Sequence, residues 1–316
     1  MNAVQPKPDD YDYELDQALA SVVGVKSLVP ADAYTAETLG TERAGNGVLI
    51  RSDGLVLTIG YLITEAETVW ISHSGGHAVP GHVLGYDQET GFGLLQALAR
   101  LDLPALDLGS SAETEVGASV VVAGAGGRQR SVAARVISKQ EFAGYWEYVL
   151  DEAMFTAPAH PNWGGTAVIG PEGDLVGVGS LQIQQAAQQR KLEDVNMVVP
   201  IDLLKPILND LLTIGRANRP TRPWLGLYAT EVGSNVAILG LASRGPAQKA
   251  DLRAGDVVLA VAGGQVTSLA DLFRRIWALG QAGVDVPLRI NREGRVFDVT
   301  VRSSDRRRFL KGPVLH

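Results

Sequence analysis

Through its first two hundred or so residues this chain repeats one pattern: a short apolar run, then a turn residue, then another short run. Gly47 to Leu57 shows it most clearly, with an apolar strand, a turn at Ser52, Asp53 and Gly54, and a second strand, which is the signature of a hairpin. Further runs at Val69 to Ile71, Gly81 to Leu84, Val120 to Ala123, Ala133 to Ile137, Val168 to Ile169 and Leu175 to Val178 are too short for helices. The 36 Gly and 15 Pro supply the turns that such a series needs. Closely spaced short strands without intervening helices imply antiparallel barrels rather than an alternating strand and helix fold.

The pattern changes near residue 201. Ile201 to Ile214 repeats apolar residues at helical spacing, with Asp202 near its start and Gly215 as its stop. Arg216 to Pro223, rich in Arg and Pro, reads as a linker. Trp224 to Arg302 reads as strands around one amphipathic helix at Ser268 to Leu279, a separate small domain. The expected division is residues 1–39 as an N-terminal segment, 40–215 as the barrel domain, 216–223 as linker, 224–303 as the second domain and 304–316 as a tail. A formal charge of −7 argues against nucleic acid as a partner, since phosphate binding needs clustered Lys and Arg. The basic cluster Arg306, Arg307 and Arg308 reads as a solvated tail. With no cysteine, neither a disulfide nor a thiolate nucleophile is available. No stretch approaches the roughly 20 apolar residues of a membrane span. The acidic, polar start from Met1 to Asp16 carries no secretory leader, so a cytoplasmic location is expected, or a periplasmic one if a leader has been removed.

Several motifs together resemble the HtrA (DegP-like) serine proteases. They are Ala44 to Val48, Asp53-Gly54 with Leu55 to Thr58, Gly85 to Asp87, Leu103 to Ser110, Val116-Gly117, Gly173 to Gly177 and Asn196 to Leu203. In the second domain, Trp224, Leu225, Gly226 and Leu227 resemble the carboxylate-binding loop of a PDZ module. Gly245 to Ala247, Ala250, Leu252 and Gly255 to Val257 resemble its core, with Asp251 where a glycine is common. The resemblance spans about residues 40 to 303. It implies a mainly β fold: a trypsin-like double six-stranded antiparallel β-barrel followed by an α+β PDZ domain.

The same resemblance locates the positions where catalysis would sit. A protease of this type needs a serine nucleophile, a histidine to take its proton and a carboxylate to orient the histidine. The histidine position falls on Tyr61, the aspartate position on Gly91 and the serine position on Trp163. An indole has no atom that attacks a carbonyl. The oxyanion loop is altered too: His160, Pro161 and Asn162 precede Trp163, one residue short of the family loop, and an ungapped alignment puts Pro161, which has no N–H, at the oxyanion glycine. The expected outcome is a pseudoprotease, with none of the catalytic residues in place. Trp163 has two readings, a ring filling the vacated cleft or an anchor for a partner.

Other candidates remain. A serine hydrolase with a relocated nucleophile would use Ser131 or Ser180. Ser74, Gly75 and Gly76 spell the protease Ser-Gly-Gly but fall in the register of a hairpin turn. His73, His77 and His82 read as surface histidines rather than metal ligands, and no metal or cofactor is expected. His160 reads as part of a local loop hydrogen bond or as a contact to bound peptide.

The implied activity moves to the second domain. Capture of a peptide C-terminus needs backbone N–H groups in a tight loop, an edge strand and an apolar groove beside a helix. Leu225, Gly226 and Leu227 are the expected loop, Tyr228, Ala229 and Thr230 the edge, and Leu269, Leu272, Phe273 and Ile276 the groove, with at least half of these last four in the domain's own core. Expected partners are peptides or protein C-termini, in a scaffold, chaperone-like or regulatory role, possible regulation of an active HtrA homologue included. The family also implies a homo-oligomer, favoured as a trimer, through N-terminal aromatics such as Tyr11, Tyr13 and Tyr34.

Overall fold

The structure is a computed structural model that describes residues 4–73, 76–186 and 192–312. It divides into two compact units: Met1–Gln140, Glu152–Asn218 and Gly312–His316 form one, and Glu141–Asp151 with Arg219–Lys311 form the other.

The first unit opens with α1 (Leu15–Ala20) and β1 (Val22–Leu28), then α2 (Ala36–Leu39), β2 (Glu42–Arg51), β3 (Leu55–Ile59), β4 (Thr68–Ser72), β5 (Ala78–Tyr86) and β6 (Phe92–Ala97). These strands close a barrel in the order β1-β2-β3-β6-β5-β4, and Gly24 pairs with Ser72 across the seam. All five residues of β3 are buried, so this strand is covered on its outer as well as its inner face and its sequence loses the usual alternation. The second barrel is built from β7 (Ser119–Ala123), β8 (Ser131–Gly144), β9 (Tyr148–Ala157), β10 (Ala167–Ile169), β11 (Leu175–Ala186) and β12 (Leu192–Pro200), in the order β10-β11-β12-β9-β8-β7. Its interior is a cluster made mostly of valines, among them Val120, Val122, Val136, Val168 and Val198, with Met154. The turn between β2 and β3 is the expected one, with Gly54 at φ 94°, a conformation that favours glycine.

Four expectations need correction. The helix expected over Ile201 to Ile214 is two pieces, a 3-10 turn at Ile201–Leu203 and α3 (Leu208–Ile214), because Pro206 cannot continue a helical hydrogen-bond ladder. Within the segment expected over 1–39, residues 4–39 do not stand apart: β1 is a barrel strand, and Tyr13 packs so closely on Gly173 that a Cβ there would meet its ring at 2.6 Å. The tyrosines Tyr11 and Tyr13 lie 5.4 Å apart and half-buried on their own chain. Residues 304–309 are no tail, since Ser304 and Trp224 exchange backbone hydrogen bonds of 3.0 and 3.1 Å and the Phe309 ring lies tilted 5.0 Å from that of Trp224. Finally, residues 141–151, the tip of the β8–β9 hairpin, pack with the second unit rather than with the barrels. The Ser74 and Gly75 turn lies outside the described residues, while Gly76 donates to the His73 carbonyl at 3.0 Å.

The second unit contains β13 (Leu227–Val232), β14 (Asn235–Leu241), α4 (Pro246–Lys249), β15 (Val257–Val261), β16 (Gly264–Gln265), α5 (Leu269–Trp277), β17 (Asp285–Arg292) and β18 (Arg295–Arg302). The sheet order is β13-β14-β15-β17-β18, with β16 on β15, which leaves β13 at an edge. Helix α5 starts where the sequence places it: Ser268 caps it by accepting a 3.0 Å bond from the Asp271 N–H. Its apolar stripe is wholly buried.

Candidate functional site

In the first unit, the three positions expected to carry catalysis lie together. Tyr61 follows β3, where the N–H of Gly60 donates to the carbonyl of Gly91 at 2.6 Å. Its phenol donates to the Ser180 carbonyl at 2.8 Å. Burial pushes the Tyr61 phenol above its ordinary value, against a smaller pull from Trp163. The residue as a whole is half-buried and its hydroxyl end is the enclosed part, passing so near Gly164 that a Cβ there would meet the phenolic oxygen at 2.7 Å. Trp163 is half-buried. Gly91 sits at φ 88°, held by a 2.8 Å bond from its N–H to the Asp87 carbonyl.

The loop from His160 to Gly165 is anchored by a residue that sequence reasoning missed. The side-chain amide of Asn46, on β2, donates to the carbonyls of Asn162 at 3.0 Å and Gly164 at 3.1 Å, and its own N–H donates to Gly164 at 2.8 Å. Its side-chain oxygen accepts from the Ala125 N–H at 2.9 Å. Asn46 is buried, so each bond it makes satisfies a group that water cannot reach. Gly165 at φ 76° allows the close approach, since a Cβ there would fall 1.9 Å from the Asn46 carbonyl.

His160 proves to be a local fastener. Its Nδ1 accepts from the Asn162 N–H at 3.1 Å, which puts the proton on Nε2, 2.8 Å from the Arg130 carbonyl. Burial lowers its pKa, consistent with a neutral ring. Ser131 donates to the Gly127 carbonyl at 3.0 Å, and Ser180 is buried with its carbonyl serving Tyr61. His73 and His77 stack at 5.7 Å, and among the described residues no group of three or more acidic, His or Cys side chains is arranged to hold a metal.

In the second unit, the expected carboxylate loop does face a carboxylate, and it belongs to this chain. The N–H groups of Leu225, Gly226 and Leu227 donate to the Glu147 carboxylate at 3.1, 2.6 and 2.9 Å. Glu147 is buried, and that burial pushes its carboxyl up to about 7, against the pull of the three N–H groups and of the Arg306 guanidinium. On the edge strand β13, the Ala229 N–H donates to the Tyr145 carbonyl at 2.9 Å, and the rings of Tyr145 and Tyr228 meet at 5.9 Å. Leu269, Leu272, Phe273 and Ile276 are all buried in one apolar cluster with Val149, so intramolecular packing uses the whole stripe rather than half of it. Glu147 was missed because a lone acid between strands reads as a turn. The run Tyr145-Trp146-Glu147-Tyr148, an acid amid large aromatics, was the available signal.

A sequence model of the trypsin-like peptidase domain matches residues 45–178, and one of the PDZ domain matches residues 223–302. A probable periplasmic serine endoprotease, DegP-like, of Pseudomonas fluorescens is 27% identical over 264 residues, covering 79% of this chain and 54% of the relative. Its namesake in Hahella chejuensis is 24% identical over 273 residues, covering 82% and 56%. The chain thus spans about half the length of the curated relatives it matches. Among solved structures, the HtrA-type protease AlgW with tripeptide shares the fold with a TM-score of 0.53 at 16% identity, covering 95% of this chain and 97% of that one. A serine endoprotease from Yersinia pestis gives 0.51 at 18%, covering 93% and 98%. These relatives are named periplasmic, which does not support the cytoplasmic expectation, and no described helix is long and apolar enough to cross a membrane. In domain content and domain order, a trypsin-like peptidase domain followed by a PDZ domain, this chain is HtrA/DegP-like.

Proposed function

We propose that this chain is a catalytically inactive HtrA-like protease homologue that works by binding peptides, or proteins that present an apolar C-terminus, through its PDZ domain. The observation that carries the first half is the 2.8 Å bond that commits the Tyr61 phenol to the Ser180 carbonyl, at the position where a protease would hold its base. A phenol with a raised pKa is a poor base, and an indole is no nucleophile. Gly91 has no side chain to orient a base. Loss of one such residue lowers turnover by about four to six orders of magnitude. Neither Ser131 nor Ser180 favours a relocated nucleophile, since one hydroxyl is given to a backbone carbonyl and the other residue is buried beneath Tyr61.

The test incubates the purified chain with a fluorophosphonate probe and, separately, with unfolded casein. No labelling and no cleavage above buffer are expected. Labelling and cleavage that both vanish when one serine is replaced would overturn the reading. The second half rests on the three converging N–H groups of Leu225, Gly226 and Leu227, the donor set that a peptide carboxylate requires. A periplasmic location is part of the same proposal, following the names of the relatives. Cell fractionation that places the native protein with a cytoplasmic marker would refute that part.

A further inference from the structure

The carboxylate loop of the second unit is fully engaged by the hairpin tip Glu141–Asp151. We propose that this tip is a resident ligand, holding the PDZ groove closed to external C-termini until it is displaced. The inference rests on the peptide-binding reading above and adds regulation to that site.

Three features match what an incoming peptide would do. The Glu147 carboxylate takes the Leu225, Gly226 and Leu227 N–H groups, as a terminal carboxylate would. Two residues earlier, Tyr145 accepts from Ala229 at 2.9 Å on the open edge of β13, the spacing at which an extended strand returns to the same partner. Val149 and Ala143 pack with the apolar cluster of Leu272, Phe273 and Ile276. The difference from a free peptide lies in the backbone of Glu147. Its φ of 61° turns the chain so that the side chain, rather than a chain end, enters the loop.

The tip is secured from outside as well. Arg274, on the exposed face of α5, forms ion pairs with both Glu141 and Asp151, one on each side of the tip. Because each backbone N–H donates to one carboxylate at a time, Glu147 and an external C-terminus exclude each other. A tethered ligand acts at an effective concentration on the order of millimolar, so an untethered peptide competes at a disadvantage.

The experiment uses the full chain and its Glu147→Ala and Arg274→Glu variants. Glu147→Ala removes both acceptor oxygens from the loop donors. Arg274→Glu leaves the loop chemistry untouched and sets like charges against Glu141 and Asp151. Thermal unfolding establishes that each variant is folded. Amide exchange at residues 225–227 is then measured together with fluorescence polarisation of a labelled peptide copying residues 140–146 and ending in valine, as free acid and as C-terminal amide.

Expected are slow exchange in the parent chain and at least tenfold faster exchange in Glu147→Ala. The free acid should bind at least tenfold tighter to both variants than to the parent, with no such gain for the amide. Unchanged exchange, or equal free-acid binding to parent and variants, overturns the resident-ligand inference and leaves peptide binding intact. Faster exchange with no free-acid binding to any form overturns the peptide-binding reading itself, and the exclusion with it.

Discussion

Tyr61 performs a structural task at the position where the resemblance to the HtrA proteases implies a base. Its hydroxyl satisfies the buried Ser180 carbonyl, so it ties the turn after β3 to barrel strand β11. Tyr61→Phe removes one donor, leaves that carbonyl unpaired, and is expected to destabilise the chain by about 1–3 kcal/mol. Denaturant unfolding at constant slope measures this, and an unchanged midpoint would show that the bond contributes nothing. Asn46 and His160 act in the same way, as fasteners whose every polar atom named above goes to a backbone group. The oddities at Tyr61, Gly91 and Trp163 were legible in the sequence because motif spacing identified their places. The bond that Tyr61 makes was not, since 119 residues separate it from Ser180.

At the scale of elements, the β8–β9 hairpin is the unusual piece. Each strand belongs to a barrel, yet the tip is counted with another unit. Its contact is sensitive to pH. Burial raises the Glu147 carboxyl from an ordinary 4.5 to about 7, with the N–H groups of Leu225, Gly226 and Leu227 and the Arg306 charge opposing. A carboxyl whose docked pKa lies above its released pKa takes up a proton on docking. The contribution is therefore complete below about pH 4.5 and is lost as pH rises through about 7. Opening of residues 225–227, measured by amide exchange corrected for intrinsic rates, is expected to increase from pH 5 to pH 8 in the parent chain and to stay flat in Glu147→Ala. A flat profile in the parent would refute the assignment. Other elements follow local rules that the sequence displays: α5 from its cap and stripe, the β2–β3 hairpin from Asp53-Gly54. Helix α3 did not, because periodicity passes unbroken through Pro206 while the backbone ladder cannot.

Across the whole molecule, the sequence by itself determined the fold class and the order of the two domains. These are written in short-range patterns: alternation, turn residues, and motifs whose spacing survives at 24–27% identity to the DegP-like relatives. What only the tertiary structure decided is who meets whom. Strand β1 joins its barrel by pairing with β4 across some forty residues, and residues 304–309 return to cover Trp224. Glu147 reaches the Leu225 N–H over a separation of 78 residues. Local propensity carries no record of such pairings. They arise when buried donors with no water to satisfy them select, from anywhere in the chain, the acceptor that the fold brings within 3 Å.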